Sequence, residues 1–346
     1  MVKVLDTFSD DVVSAWRKLE NAPGSSVFQT LDWCRASWES LLAQRDGNRL
    51  HLMFWSGLDE ESPVIMPTFL DKHGTLRFIN DEHSDCGDAV YERGYNNFFA
   101  FKELTEAIIA DRRVRSICLQ KIRRYSEALG YFSVFLRGPL VYRDHAYPWL
   151  EIPHAEDFSS GQRHLRSRDR NRIAYCQREA ASARVTVYSV QTGTVFPEDQ
   201  IVMLRDLMRR KGRRDAKFID KTMLLFIRRV YECGLCEVLS VSDGDEVMSI
   251  AILLKYRKSV LCWLMLYQDT KWNTYLHVLC LDKLARAGGC AFDFGVGMYD
   301  YKLRPFRPKL ECTFSLRWGR GFFSRFYAYL RMNWRFIRVY WGSREK

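Results

Sequence analysis

The sequence lacks any apolar stretch long enough to cross a membrane. Its longest apolar runs, 250–254 and 260–267, fall well short of the roughly 20 residues that a membrane-spanning helix needs, and we predict that both are strands. The first ten residues contain no apolar segment of the kind found in secretory signals. We therefore expect a cytoplasmic protein without a transmembrane anchor.

The sequence also has little that would bind a metal ion. Cys233 and Cys236 form the one Cys-x-x-Cys pair, and neither a second pair nor flanking histidines complete a zinc set. Ten cysteines in a cytosolic chain indicate free thiols rather than disulfides. We predict no metal site and no permanently bound cofactor. The absence of a base-reading motif argues against sequence-specific DNA binding.

Apolar residues, by contrast, are abundant enough for two domains. The chain has 346 residues, 47% of them hydrophobic, and two domains are expected at this length. Pro148 and Pro153 bracket a short predicted strand at 149–152, and we place the domain boundary near residue 150. Before it, the patterns predict helices at 10–19 and 101–110 and strands at 50–55, 64–70, 76–79 and 131–136.

The second half alternates helices and strands, which favours an α/β (α+β) fold. We predict helices at 159–181, 199–210, 221–233 and 274–287, and strands at 185–190, 237–242, 246–256, 260–267 and 291–294. The Asp-Gly pair between the strands 237–242 and 246–256 is a strong hairpin signal.

One stretch, residues 292–302, concentrates polar side chains of the kind that catalysis needs. A short strand ends in it and gives way to Gly295 and Gly297, which favour a sharp exit of the chain. The residues that follow are Tyr299, Asp300, Tyr301 and Lys302. Open α/β sheets place their ligands beyond such strand ends. A glycine turn flanked by core aromatic residues is the alternative that the pattern leaves open.

This stretch resembles a signature of the CelD-like acetyltransferases, a branch of the GNAT superfamily, and is similar to the ending of the FemXAB aminoacyl transferases. The matching residues are Asp293-Phe294-Gly295, Gly297, Tyr301-Lys302 and Phe306. Further upstream, the residues that resemble the family's N-terminal signature are Phe28-Gln29, Trp33 and Trp38. In residues 83–88, Cys86 replaces the tyrosine of the family's Asp-Tyr motif.

The resemblance implies two GNAT-like domains, each a mixed, mostly antiparallel sheet flanked by helices. The second, 151–317, would be the acyltransferase domain, with the donor threaded between its fourth and fifth strands. The first, 1–150, would be a diverged copy of the same core, although no internal sequence repeat shows this independently. A C-terminal helix at 318–346 would dock on the first domain.

Acyl transfer requires deprotonation of the acceptor, stabilisation of an oxyanion and protonation of the leaving group. Under this resemblance, Lys302 would stabilise the oxyanion or hold an anionic substrate. Tyr301 or Tyr299 would donate a proton, and we also place Tyr299 among the substrate contacts. Asp293 or Asp300 would act as the base or orient the lysine. A surface lysine and buried core tyrosines are the structural alternative.

We predict acyl-CoA, with acetyl-CoA as the simplest case, as the donor co-substrate. The predicted contacts are Tyr267, Gln268, Lys271 and Thr274. GNAT enzymes hold the CoA diphosphate with a glycine-rich loop that opens the helix after the fourth strand. The equivalent residues here, 268–275, contain no glycine, so the usual backbone cradle is missing. This departure leaves an acyl carrier protein, aminoacyl-tRNA or an inactive site as alternatives.

Positive charge, +11 overall, is concentrated in two segments and favours anionic partners. In the predicted helix 159–181, Arg168 and Arg172 lie one turn apart. We predict that they contact the substrate together with Asp85 and Asp88, a solvated helix face being the alternative. From 317 to 346, eight basic residues and one acid leave +7. The aromatic residues between them are typical of an interfacial membrane helix, and docking on the first domain is the other interpretation.

These features together predict a cytoplasmic acyltransferase that lies at the inner membrane through 318–346. Its acceptor would be an amino or hydroxyl group of a sugar or of a cell-envelope or exopolysaccharide precursor. One alternative is an aminoacyl-tRNA-dependent transferase of FemXAB type, with tRNA as a partner. The other is a non-catalytic scaffold of a polysaccharide synthesis complex.

Overall fold

The computed structural model describes residues 1–321 except 23–24, 58–62, 94–96, 156–157, 159–164, 213–217 and 289. The chain divides into two units. Unit 1 comprises Met1–His145 and the segment that begins at Cys312, and unit 2 comprises Ala146–Glu311.

Unit 1 contains two sheets. The smaller sheet is antiparallel and consists of β1 (Val2–Leu5), β3 (Leu52–Trp55) and β4 (Val64–Met66). The larger one has the order β2 (Arg49–Leu50), β5 (Thr68–Leu70), β6 (Thr75–Phe78), β7 (Ser116–Arg123) and β14 (Lys309–Gly319). Strands β6 and β7 run parallel, whereas β2/β5, β5/β6 and β7/β14 are antiparallel pairs.

The helices of unit 1 bury their apolar residues against these sheets. They are α1 (Asp10–Leu19), α2 (Leu31–Ser37), α3 (Phe98–Ala110) and α4 (Glu127–Phe135). The predicted strand at 131–136 is therefore wrong, since these residues lie mainly in α4. Two effects override the strand-like composition of these residues. The Ser126 side chain caps the helix by accepting a hydrogen bond from the amide of Leu129. Phe132 packs edge-on against Phe101, with 5.5 Å between ring centroids.

Unit 2 is built on one mixed, mostly antiparallel sheet. Its order is β8 (Leu140–Ile152), β13 (Cys290–Asp293), β12 (Ser259–Tyr267), β11 (Glu246–Tyr256), β10 (Cys236–Asp243) and β9 (Arg184–Tyr188). Only β12 and β13 are parallel to one another among these neighbours. The predicted Asp-Gly hairpin is confirmed, because Asp243 and Glu246 pair across the turn between β10 and β11.

The helices of unit 2 are α5 (Ser167–Glu179), α6 (Glu198–Arg210), α7 (Lys221–Glu232), α8 (Thr270–Arg286) and α9 (Asp300–Phe306). Helix α8 begins four residues before the predicted start at Thr274. The Asp269 side chain explains the difference, because it accepts from the amides of Lys271 and Trp272 and so caps the helix there.

The two central strands of unit 2 pair over only three residues. Residues 259–261 of β12 pair with 291–293 of β13, whereas β12 continues to Tyr267. Helix α8 links the two strands and packs against both. Strand β13 ends at Asp293, so the end of β12 extends beyond the last pair.

The C-terminal segment is described only in part. Trp318 and Gly319, which the sequence assigns to the start of a C-terminal helix, instead end strand β14, where Trp318 pairs with Ile117. The remainder of that prediction, 322–346, lies outside the described residues. No helix in the described part of the chain is long and apolar enough to span a bilayer.

Candidate active site

The chain makes a tight turn as it leaves β13. The Asp293 carboxylate accepts a hydrogen bond from the amide of Gly295 at 2.8 Å. Gly295 and Gly297 both have positive φ, 75° and 109°, which is why glycine is needed at both positions. A Cβ at Gly297 would lie 2.5 Å from the ring of Tyr299. This turn brings helix α9 directly beyond the end of the strand.

Helix α9 places Lys302 inside the protein rather than on its surface. The residue is only 6% exposed. Its Nζ donates to the backbone carbonyl oxygens of Gly295 and Val296, at 3.3 Å each. It also lies 5.4 and 5.8 Å from the ring centroids of Tyr299 and Tyr301, a cation–π arrangement. The predicted alternative of a surface lysine is therefore wrong.

The two tyrosines form a layer over this lysine. Their rings are stacked, with 5.7 Å between centroids and 9° between planes. Tyr299 is 57% exposed, whereas Tyr301 is only partly exposed. Tyr301 is next to His277, with 5.8 Å between ring centroids. The layer therefore runs from solvent through Tyr299 and Tyr301 to the buried imidazole.

The predicted acids do not converge on the lysine in the same way. Asp293 supports the turn after β13 through the amide of Gly295. Asp300 lies on the outer face of α9 and pairs with Arg304 at 2.9 Å, both side chains being more than 70% exposed. An exposed i,i+4 ion pair of this kind is a surface feature, so the geometry favours neither acid as a base.

Sequence reasoning missed His277 and Asn273. Both lie on the face of α8 that points into unit 2, and they are 1% and 0% exposed. The His277 ring packs against Phe294 and Phe306 at 5.5 and 5.7 Å between centroids. Their only signal in the sequence is a polar pair four residues apart in an otherwise apolar helix face, and this pattern is weak without knowledge of the neighbours.

The predicted donor contacts have structural roles at the start of α8. The Gln268 side chain donates to Glu246 and to the carbonyl of Val247, and the Thr274 hydroxyl donates to the carbonyl of Thr270. Lys271 is exposed, with its Nζ 5.3 Å from the ring centroid of Trp272. Tyr267 is the last residue of β12 and is partly exposed.

The carboxylate of Asp269 occupies the N-terminus of α8. In many nucleotide-binding proteins the free amides at such a helix end hold a phosphate group. Here Asp269 accepts from two of these amides. The loop therefore lacks both the glycines and the open amides of a diphosphate cradle.

The predicted substrate contacts fall in both units. Arg168 and Arg172 are exposed on α5, which packs against α8 and α9. In unit 1, the Asp88 side chain is buried and accepts from the hydroxyl of Ser126 at 2.7 Å, and burial raises its pKa to about 6. Asp85 is partly exposed.

Comparison with known proteins agrees with this fold. Residues 167–303 match the family described as acetyltransferase (GNAT) domain, and this match spans β9 to β13, Lys302 and most of α9. No curated protein matches the chain by sequence.

Solved structures resemble the chain over most of its length. L-PGS from Bacillus licheniformis is 13% identical with a TM-score of 0.56, over 89% of this chain and 91% of that one. FemX is 11% identical with a TM-score of 0.54, over 91% and 96%. A tandem GNAT protein from the clavulanic acid biosynthesis pathway is 9% identical with a TM-score of 0.51, over 93% and 98%.

At these identities the structural likeness concerns the fold, and it confirms the predicted mixed α/β architecture. The family match indicates the activity class, because it covers β9 to β13 and includes Lys302. Residues 167–303 are therefore similar to a GNAT acetyltransferase domain, and this similarity supports the assignment of the protein as an acyltransferase.

Proposed function

We propose that the protein transfers an acyl group from acyl-CoA, acetyl-CoA in the simplest case, to an amino or hydroxyl group of a sugar or cell-envelope precursor. This is the activity expected of a CelD-like enzyme of exopolysaccharide synthesis. The observation that carries the proposal is the buried ammonium group of Lys302, held by carbonyl groups just beyond the end of β13.

An ammonium group in that position suits acyl transfer. Attack on a thioester carbonyl builds negative charge on its oxygen, and a fixed positive charge in a water-poor site stabilises this charge most effectively. The two carbonyl contacts of Lys302 hold its Nζ in place, so little reorganisation is needed when the charge develops. Tyr301 lies beside the same group and would supply the proton to the leaving thiolate.

The acceptor is proposed to carry negative charge. Arg168 and Arg172 lie one turn apart on the exposed side of α5, and Asp169 of the same helix is already paired with Arg307 at 2.7 Å. The two arginines are therefore suited to contact a phosphate or carboxylate group. Attachment to an anionic membrane through 322–346 is part of this proposal, and it would bring the enzyme close to lipid-linked precursors.

One observation favours a second candidate, an aminoacyl-tRNA-dependent transferase. The Asp269 cap and the absence of glycine at 268–275 leave no diphosphate cradle at α8. An aminoacyl ester needs no such cradle, since its acyl group is carried on a ribose rather than on a pantetheine diphosphate. The charge of +11 is compatible with binding to a polyanion.

Thermal unfolding with different ligands tests these proposals. Acetyl-CoA, longer acyl-CoAs and bulk tRNA are added separately, and the true donor class should raise the melting temperature. Release of free CoA thiol from acetyl-CoA is then measured for wild type, Lys302→Met and the exposed control Lys309→Met. Stabilisation by tRNA alone would favour the second candidate. Full cellular function of a folded Lys302→Met protein would overturn both and favour a scaffold.

A further inference from the structure

Three side chains of α8 have buried polar atoms for which the described residues supply no hydrogen-bond partner. These atoms are Nε1 of Trp272, Oδ1 and Nδ2 of Asn273 and Nε2 of His277. Asn273 and His277 supply the acceptors among them. Buried polar groups are paired in the great majority of cases, so each exception requires an explanation. Because the two residues are four apart in the helix, their side chains share one face. The unpaired acceptors of Asn273 and His277 therefore share one helix face, and the His277 ring lies beside Tyr301, which contacts Lys302.

The hydrogen bond at the other ring nitrogen determines the state of His277. Nδ1 lies 2.9 Å from the backbone carbonyl oxygen of Asn273, and a carbonyl oxygen can only accept, so Nδ1 carries the proton. Nε2 then has a free lone pair. Burial lowers the pKa of His277 to about 4, and the charge of Lys302 acts in the same direction. The ring is consequently uncharged at neutral pH.

We propose, as a refinement that rests on the proposed function, that Asn273 and His277 bind a primary amine as the acceptor and that Nε2 takes its proton. A neutral primary amine has two N–H donors and one lone pair. Oδ1 of Asn273 and Nε2 of His277 are two acceptors on one helix face. Each accepts one N–H group of the amine, so the nitrogen lone pair stays available to attack the acyl carbonyl carbon. A hydroxyl group has one hydrogen and leaves one of the two acceptors unpaired.

The reaction balances with an acyl thioester as the donor. The amine nitrogen forms a bond to the carbonyl carbon, and Lys302 stabilises the negative charge that develops on the carbonyl oxygen. The surplus proton on the nitrogen passes to Nε2 of His277. The C–S bond then breaks. Tyr301 protonates the thiolate, and His277 returns the proton to Tyr301, whose ring lies beside it. The products are an amide and a thiol, and His277 is again neutral.

The acceptor reaches these atoms only if the tyrosine layer moves. His277 is screened from solvent by Tyr301, and Tyr299 stacks on the outer side of Tyr301. Tyr299 and Met298 are 57% and 60% exposed, and they follow Gly297, whose φ of 109° suits a chain that changes direction. In the proposal this segment shifts to admit the amine beside Lys302.

The variant His277→Phe separates chemistry from packing. Phenylalanine preserves the ring contacts with Phe294 and Phe306. It removes the unpaired Nε2 together with the Nδ1 bond to the carbonyl of Asn273, and these two changes offset one another in stability. His154→Phe is the matched control, because His154 also contacts a backbone carbonyl through Nδ1, that of Ala285, but is exposed. Acetyl-CoA with hydroxylamine, a small nucleophile that is neutral at pH 7, is the assay.

The proposal predicts a loss of about 10²–10⁴-fold for His277→Phe, the usual contribution of a general base, at an unchanged melting temperature. His154→Phe should match wild type. A folded His277→Phe protein with wild-type turnover would overturn the proposal while leaving the acyltransferase assignment intact.

Nitrogen NMR of the imidazole rings gives a readout that needs no turnover. A protonated Nδ1 and a bare Nε2 on His277 at pH 7 support the proposal, and a proton on Nε2 overturns it. If wild type fails to acetylate hydroxylamine although His277 has the expected tautomer, the fault lies with the proposed donor rather than with His277.

Discussion

Each unit holds a lysine whose Nζ is bound by backbone carbonyl oxygens, and the two lysines differ in how they are held. In unit 1, Lys121 donates to the carbonyls of Ser84, Asp81 and Glu82 at 2.6, 2.9 and 3.4 Å. In unit 2, Lys302 donates to two carbonyls at 3.3 Å. The two shortest contacts of Lys121 indicate a clamp, whereas Nζ of Lys302 also lies against the rings of Tyr299 and Tyr301.

The buried polar side chains around the two lysines also differ in how many of them have hydrogen-bond partners. Near Lys121, most of the buried polar side chains have partners: Ser84 accepts from Trp33, Cys86 contacts Ser26, and Asp88 accepts from Ser126. The exception is Oδ1 of Asn80, for which the described residues supply no partner. Near Lys302, Asn273 and His277 keep unpaired polar atoms. A satisfied network stabilises a fold, and an unsatisfied one beside a buried charge is the pattern of a ligand site.

Replacing Lys302 tests this contrast most strongly. Lys302→Met removes the charge but retains most of the buried volume, and it should lower kcat/KM for acyl transfer by about 10²–10³-fold, the effect of losing one oxyanion donor. Steady-state kinetics, with circular dichroism as the folding check, measure it. A rate within threefold of wild type in folded protein would remove Lys302 from the chemistry.

Asp88 is expected to make unit 1 sensitive to pH. Because burial raises its pKa in the folded protein to about 6, from a usual 3.8, its contribution to stability is complete below about pH 4 and is lost as the pH rises through 6. Asp88→Asn keeps the single oxygen that accepts from Ser126 and Ala89 and removes the titration. The variant should gain up to about 3 kcal/mol at pH 7.

Urea unfolding of wild type and Asp88→Asn at pH 4 and pH 7 measures that gain. The two proteins should be nearly equal at pH 4. If the two proteins differ more in unfolding free energy at pH 4 than at pH 7, a group other than Asp88 controls the pH dependence of unit 1, and the prediction is contradicted.

The counterpart substitution in unit 1, Lys121→Met, should act on stability instead of turnover. Loss of its carbonyl contacts is expected to cost about 2–3 kcal/mol of unfolding free energy, as for hydrogen bonds made by charged groups. Denaturant unfolding measures this cost, and kcat of the folded enzyme should fall far less than for Lys302→Met. Equal losses of kcat in the two variants would abolish the distinction between clamp and catalytic charge.

The smallest expected effect concerns the donor. Asp269→Ser keeps a cap for α8 but removes the negative charge from its N-terminus, so the affinity for the CoA diphosphate should rise by about two- to fivefold. Titration calorimetry with CoA measures it. Unchanged CoA affinity in a stable variant would show that the diphosphate does not approach α8, and it would strengthen the aminoacyl ester alternative.

The sequence predicts much of unit 2 because its signals are local. The Asp-Gly hairpin, the amphipathic helices and the glycine exit before Lys302 each depend on neighbouring residues, and the structure has all three. The predicted strand at 131–136 fails because the Ser126 cap and the contact of Phe132 with Phe101 decide the conformation.

Only part of the candidate site can be predicted from the sequence, because some of its residues are brought together by contacts that are distant in sequence. Lys302 follows a recognisable motif, whereas His277 becomes notable only once α8 packs it against Phe294, which is 17 residues away in sequence and follows a different strand. Asp300 shows the opposite case: its position in the motif suggests chemistry, whereas helix α9 directs its side chain outward to Arg304.

A crystal structure of the protein with an acetyl-CoA analogue, in which a methylene group replaces the thioester sulfur, tests the central claim most directly. We expect the acetyl carbonyl oxygen to lie about 3 Å from Nζ of Lys302, beyond the end of β13. An analogue bound in unit 2 with that oxygen more than about 6 Å from Nζ, too far for a hydrogen bond, would contradict it.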